Sequence, residues 1–302
     1  MMDENIRITT IDLNFQGVPG TIAAYLLPHK DGCMLFETGP GSTLEGLQAG
    51  LAQAGFRPED VSDVFVTHIH LDHAGASGWL ARRGARVHVH ERGLPHLLDP
   101  GKLLASAGRI YGDQMDVLWG EMLPVPADRL QSLTDGQRVE VAGYQIQAID
   151  TPGHASHHMA YLLDGTLFSG DIGGVRLAGP PYVMLPMPPP EFHLEQWRQS
   201  FDKIRALPVE RIAATHFGIY HDVERHWQLL GETLQAVEGW IEATMPDGPT
   251  LEELRHLLPR WFKERAGAHG LAGRISNAHE VANPAWMSAA GILRYWNKFR
   301  AN

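Results

Sequence analysis

The stretch Thr67-His68-Ile69-His70-Leu71-Asp72-His73 places three imidazoles and a carboxylate within six residues. It follows directly on Val61-Ser62-Asp63-Val64-Phe65-Val66, whose length and β-branched content predict a buried strand, so the histidines are expected on the loop leaving a strand end. Neutral imidazole and carboxylate are ligands that zinc, iron and manganese accept. Alternate residues on a short extended segment point the same way, so His68 and His70 can grip one ion. Asp72 and His73, where the chain turns into a helix expected near Ala74, can face a second. The plain alternative is a polar loop that happens to be rich in histidine, and the packing of the cluster behind a strand weighs against it.

Further ligands follow other apolar runs. Thr151-Pro152-Gly153-His154 comes after a strand-like run from Val139 to Ile149; Phe168-Ser169-Gly170-Asp171 ends a third run and Ala213-Ala214-Thr215-His216 a fourth. Four strand ends carrying metal-competent side chains predict one site assembled along a sheet edge. On these residues the sequence resembles the metallo-β-lactamase superfamily, and within it the glyoxalase II-like and lactonase-like hydrolases. The family pattern is an HxHxDH motif, then a lone His, an Asp and a final His. It matches at His68, His70, Asp72, His73, His154, Asp171 and His216. Glu37-Thr38-Gly39 resembles the family's early Asp-Thr-Gly element, with Glu replacing Asp. The resemblance runs from about Ile6 to Tyr220.

The resemblance implies a four-layer αββα sandwich of the α/β class as the catalytic domain (1–220), with a helical C-terminal extension (221–302). It implies that His68, His70 and His154 bind one divalent ion, that Asp72, His73 and His216 bind another, and that Asp171 bridges them. Zinc is the first metal expected, with iron and manganese as alternatives. In this reading a dinuclear-metal-bound hydroxide attacks a carboxylic ester, thioester or lactone, and Asp72 and Asp171 are the catalytic carboxylates. The other activities to weigh are an iron-dependent persulfide dioxygenase-like oxidation and hydrolysis of small phosphate esters. The ligand set lacks a thiolate, which sets it apart from lactamases that use one. The single cysteine, Cys33, reads as a small core residue.

With 302 residues, 44% hydrophobic content and 20% charged, the chain is expected to bury a sizeable core. A formal charge of −10 argues against a nucleic-acid partner and for a small-molecule substrate. No apolar run approaches the ~20 residues of a membrane span, and Met1-Met2-Asp3-Glu4-Asn5 does not open a secretory leader. A single cysteine fits a reducing compartment, so the cytoplasm is expected.

Strands are predicted from Ile6 to Phe15, Thr21 to Leu27 and Arg86 to His90. Helices are predicted behind Ser42-Thr43, over Leu44 to Ala54, and from Leu194 to Leu207. The long connection Glu91 to Val125, holding Tyr111, Met115, Trp119 and Met122, reads equally as a substrate wall or a packing insertion. In the Pro-stiffened loop after Asp171, Arg176 is a candidate for a substrate carboxylate or phosphate, and Tyr182 for a carbonyl oxygen. From Thr250 onward there are eight Lys/Arg against four Asp/Glu, suiting above all a solvated helical cap, and otherwise a docking surface for an acidic substrate or the arm of a homodimer. Gly267 to Gly273 reads as a loop. His157 and His158 suit either hydrogen-bonded support for the ligands or a polar turn; His88 and His90 are not assigned to metal.

Overall fold

The computed structural model describes residues 6–271 and 277–301. Two six-stranded sheets form its centre. The first runs in sequence order through β1 (Thr9–Asp12), β2 (Ala23–His29), β3 (Gly32–Phe36), β4 (Val61–Phe65), β5 (Arg86–His90) and β6 (Leu130–Leu133). The second holds β7 (Arg138–Val141), β8 (Tyr144–Asp150), β9 (Met159–Leu163), β10 (Thr166–Phe168), β11 (Arg211–Ala214) and β12 (Gly218–Tyr220), again in sequence order. Strands β3 to β6 pair in parallel, as do β10 and β11, and the remaining pairs are antiparallel.

The period-two alternation of strand side chains explains the layering. In β2, Tyr25 and Leu27 enter the core between the sheets, while Ala24 and Leu26 face the helices outside the first sheet. In β3, Met34 and Phe36 point inward, and Cys33 and Leu35 outward. Both faces are buried, so these strands read as continuous apolar runs. Phe36 of the first sheet stacks on Phe168 of the second with centroids 3.6 Å apart, closing the middle of the sandwich. Helix Leu44–Gln53 covers the first sheet with Leu47 and Leu51. Helix Leu194–Arg205 covers the second with Trp197 and Ile204. The αββα expectation holds.

Several boundaries differ from expectation. The first strand is shorter than Ile6 to Phe15, because Phe15–Gly17 turns with positive φ at Asn14 and Gln16. The run from Val139 to Ile149 is two strands, β7 and β8, split by a turn at Ala142 and Gly143, both at positive φ. The connection from β5 to β6 folds into helices Leu94–Leu98, Gly101–Tyr111 and Met115–Leu118.

After β12 the chain forms helices Val223–Thr244, Leu251–Ala268, Asn277–Ala282 and Ala285–Phe299. Thr250 begins the second of them with a capping box: its hydroxyl accepts from Glu253 N at 3.3 Å. Helix Leu251–Ala268 takes in Gly267 and Ala268, the first two residues of the stretch expected as a loop, of which residues 272–273 lie outside the described residues. Leu254, Phe262, Ile292 and Tyr295 join the same buried cluster as Leu167 of β10 and Trp197. The boundary at 220/221 is thus a change of element type within one continuous core. Among the described residues, no helix is long and apolar enough to cross a membrane.

Candidate metal centre

The candidate ligands converge from the ends of both sheets, so the site spans the sandwich and is not confined to the edge of one sheet. His68 and His70 follow β4 of the first sheet. Asp72 and His73 stand on the single-turn helix Leu71–Ala74, which starts earlier than the sequence suggested. His154 lies between β8 and β9, Asp171 in the tight turn Gly170–Gly173 after β10, and His216 between β11 and β12. Met159 N donates to Thr67 O at 2.7 Å, and the Tyr161 hydroxyl to Val66 O at 2.9 Å, tying the two sheets together beneath the site.

Two groups of ligand atoms share one carboxylate. His70 Nδ1 is 2.9 Å from both His68 Nε2 and His154 Nε2. Asp171 Oδ2 is 3.2 Å from His154 Nε2 and 4.0 Å from His68 Nε2. The other oxygen, Asp171 Oδ1, is 3.3 Å from His73 Nε2 and 3.4 Å from His216 Nε2. Asp72 Oδ2 lies 3.6 Å and 3.5 Å from those same nitrogens. Ligand atoms about 2.0–2.1 Å from a tetrahedral ion sit about 3.3 Å apart, so both groups have the spread of a coordination shell. His73 Nε2 and Asp171 Oδ1 are buried, and among the described residues their contacts are long ion pairs, 3.3 Å to each other, with no well-formed hydrogen bond. A cation between them would give both atoms a partner at coordination distance.

The far nitrogens settle which lone pairs point inward. His154 Nδ1 donates to Pro186 O and His216 Nδ1 to Thr21 O, each at 2.8 Å. His73 Nδ1 donates to Glu37 Oε1 at 3.0 Å. In these three rings Nε2 is therefore the nitrogen left to face the group. Glu37 is buried and also accepts from Thr67 N at 3.2 Å, Thr67 Oγ1 at 2.5 Å and Thr215 Oγ1 at 3.1 Å. The replacement of Asp by Glu in the early element thus produces a carboxylate that ties two ligand-bearing strand ends behind the site. The signal available in the sequence was the dipeptide Thr-His, which occurs at both 67–68 and 215–216.

His158 is the other supporting residue. Its Nε2 accepts from Asp171 N at 3.1 Å, so Nδ1 carries the proton and donates to Thr151 Oγ1 at 2.8 Å. Gly170 makes that approach possible: φ is +52°, and a Cβ there would lie 2.6 Å from both His158 Nε2 and Thr67 Oγ1. His157 instead faces Glu191 at 3.3 Å, while His88 pairs with Asp63 at 2.7 Å and His90 with Asp150 at 3.1 Å.

The two groups differ in electrostatics. Burial, reinforced by neighbouring imidazoles, holds His68 well below the usual histidine range; burial likewise lowers His70, and lowers His154 to about 4. Burial also opposes charge on His73, but Asp171, Asp72 and Glu37 together outweigh it and hold His73 well above the usual range. His216 is raised in the same way by Asp171 and Asp72. Burial would raise Asp72, but His73 and His216 bring it down to about 2. Asp171 is held well below the carboxylate range by His73, His154 and His216 against the effect of burial. The second group thus sets two carboxylates against imidazoles they hold protonated, an arrangement in which a cation could take the place of the protons.

Above these groups opens a cavity of about 430 Å³, reached by His70, Asp72, His154, Asp171 and His216. Helix Gly101–Tyr111 and segment 280–288 of the C-terminal region supply much of its wall, giving the β5–β6 insertion the role of a wall. Arg176 and Tyr182 are not brought to it. The Arg176 guanidinium donates to both oxygens of Asp222, at 3.0 Å and 2.6 Å, and lies 4.1 Å over the Tyr220 ring. Tyr182 is buried in the core beside His269. The loop does start beside Asp171, but the bridge between Val175 and Met184 folds it back on itself.

Residues 17–216 match the model of the metallo-β-lactamase superfamily. The chain belongs to that superfamily. It is similar to a metallo-β-lactamase family protein of Thermus thermophilus, at 26% identity and a TM-score of 0.68, over 97% of this chain and 93% of that one. It is 29% identical to the metallo-β-lactamase fold-containing protein ST1585 of Sulfurisphaera tokodaii, over 52% of this chain and 60% of that protein. Similarity to the atrochrysone carboxyl ACP thioesterase of Aspergillus fumigatus is 31% identity over 58% of this chain and 44% of the relative. For the hydroxyacylglutathione hydrolase of Aeromonas hydrophila the figures are 30%, 49% and 44%. The matches thus span roughly half the length of these three curated relatives.

Proposed function

We infer that this protein is a metal-dependent hydrolase of carboxylic esters, thioesters or lactones, with two divalent ions per chain and zinc as the first candidate. The observation that carries the reading is the split carboxylate of Asp171, whose two oxygens each face a different ligand group. His68, His70 and His154 would hold one ion, Asp72, His73 and His216 the other, with Asp171 shared. Bound there, such ions would supply a hydroxide nucleophile near neutral pH and polarise the oxygen of the scissile bond. Asp72 and Asp171 line the cavity floor with their carboxyls held low by the neighbouring imidazoles, so as carboxylates they could accept a hydrogen bond from an attacking water. In the overall change, water oxygen joins the acyl carbon, the acyl carbon–oxygen or carbon–sulfur bond breaks, and a proton ends on the leaving alcohol or thiol. The thioesterase and hydroxyacylglutathione hydrolase names among the relatives support the same bond class. A small-molecule substrate, no nucleic-acid partner and a cytoplasmic location complete the proposal, resting on composition alone.

Elemental analysis of metal-supplemented protein should find two ions per chain, and chelation should abolish release of thiol or alcohol from acyl test substrates. Fewer than one ion per chain overturns the reading. Oxygen uptake without ester or thioester hydrolysis replaces it with an oxidation.

A further inference from the structure

The cavity changes character from floor to roof. The floor is imidazole and carboxylate; the walls are Leu103, Ala107 and Ile110 on helix Gly101–Tyr111, faced by Val281, Trp286 and Met287 of the C-terminal region. Tyr111 joins the two sides. Its hydroxyl donates to Met287 Sδ at 3.5 Å, and its ring meets Trp286 and Trp119 edge-on at 5.8 Å and 5.0 Å. Among the described residues, no Lys or Arg lines the cavity, and Glu280 is the one carboxylate there outside the ligand groups. Among the described residues of the walls, a substrate anion such as a peptide carboxylate or a phosphate would meet no Lys or Arg and the one carboxylate of Glu280. An uncharged apolar group would bury its surface against the insertion and the C-terminal segment.

We propose that the site takes a carboxylic ester or thioester whose acyl part is a large, uncharged apolar group. The scissile carbonyl lies at the floor beside Asp72, Asp171 and His216. The acyl part runs between helix Gly101–Tyr111 and residues 281–288. The floor chemistry rests on the hydrolase reading above; the acyl class rests on the walls. A linear chain and a fused aromatic ring share this chemistry and differ in shape.

The test uses binding of the acid products, which needs no turnover. Acetate, butyrate, octanoate, decanoate and 2-naphthoate are titrated calorimetrically into the zinc-supplemented full chain. Affinity should rise about fourfold per added methylene until the cavity is filled, following the free energy of methylene burial. Tighter naphthoate than decanoate marks an aromatic acyl group, and the reverse marks an aliphatic one; both uphold the proposal. Ser106→Trp, which fills the wall, and Trp286→Ala, which removes part of it, should each reduce the decanoate-to-acetate affinity ratio at least tenfold. The two changes act on different segments of the wall, so one misfolded variant leaves the other decisive. An affinity series that stays flat with chain length, or variants that keep the wild-type ratio, overturns the proposal. Acyl-ester turnover measured on the same samples separates the two readings. Turnover with flat binding removes only the acyl class; length-dependent binding with no ester or thioester turnover removes only the hydrolase reading.

Discussion

Glu37 Oε1 lies 3.0 Å from His73 Nδ1, so a buried carboxylate outside the ligand groups fixes the orientation of a ring within them. The same oxygen accepts from the hydroxyls of Thr67 and Thr215, which immediately precede His68 and His216. One side chain thereby aligns three candidate ligands.

Replacing Glu37 with Ala would leave those donors without their acceptor. Metal affinity should fall about 10–100-fold, the usual range for losing a hydrogen-bonded partner behind a ligand. Glu37→Asp keeps the charge but shortens the reach, and should lose less. Metal content after equilibration in a buffered series of free metal concentrations gives the answer. Wild-type affinity in Glu37→Ala would make the carboxylate a packing feature only.

Asp171→Ala removes the carboxylate shared by both ligand groups, so occupancy at both positions and turnover should collapse together. Asp72→Ala removes a ligand atom from one group, and should leave about one ion per chain. Elemental analysis of the two variants side by side distinguishes a bridge from an ordinary ligand.

Metal binding should release protons. His73 and His216 have pKa values raised above the usual histidine range by Asp171 and Asp72, so near neutral pH the metal-free site holds protons that an ion must displace. Affinity should therefore rise as pH rises toward those pKa values and fall on acidification. Calorimetry in buffers of different ionisation enthalpy reads the number of protons directly; none released at pH 7 contradicts the assignment.

Arg176→Ala breaks a two-pronged pair with Asp222 and uncovers the Tyr220 ring. The Asp222 carboxylate is partly exposed, so a loss of about 1–3 kcal/mol in urea unfolding is expected, not the larger cost of a fully buried pair. Rates on neutral and anionic esters should change by the same factor. A selective loss on anionic substrates would bring Arg176 back to the substrate.

The candidate ligands were legible because each stands within a few residues of an apolar strand, and strand ends meet at the ends of a sandwich. The candidates His68, His70, Asp72, His73, His154, Asp171 and His216 could all be named that way; the αββα layering followed from the family resemblance those residues carry, not from periodicity. The tight turn at Ala142 and Gly143 was hidden inside the run from Val139 to Ile149, because local apolar content does not reveal where a strand folds back. Arg176 illustrates the same limit. Its closeness to Asp171 in sequence suggested a substrate contact, yet its side chain runs to Asp222, which sequence distance alone cannot indicate.

What the sequence by itself determined is the chemistry of the centre, since imidazole and carboxylate donors are specific in type and their spacing behind strands is local. Only the tertiary structure decided the cavity above it. Tyr111 meets Trp286 and Met287 across more than 170 residues of chain, and apolar burial is non-directional, so many other pairings of the insertion and the C-terminal helices satisfy the same composition.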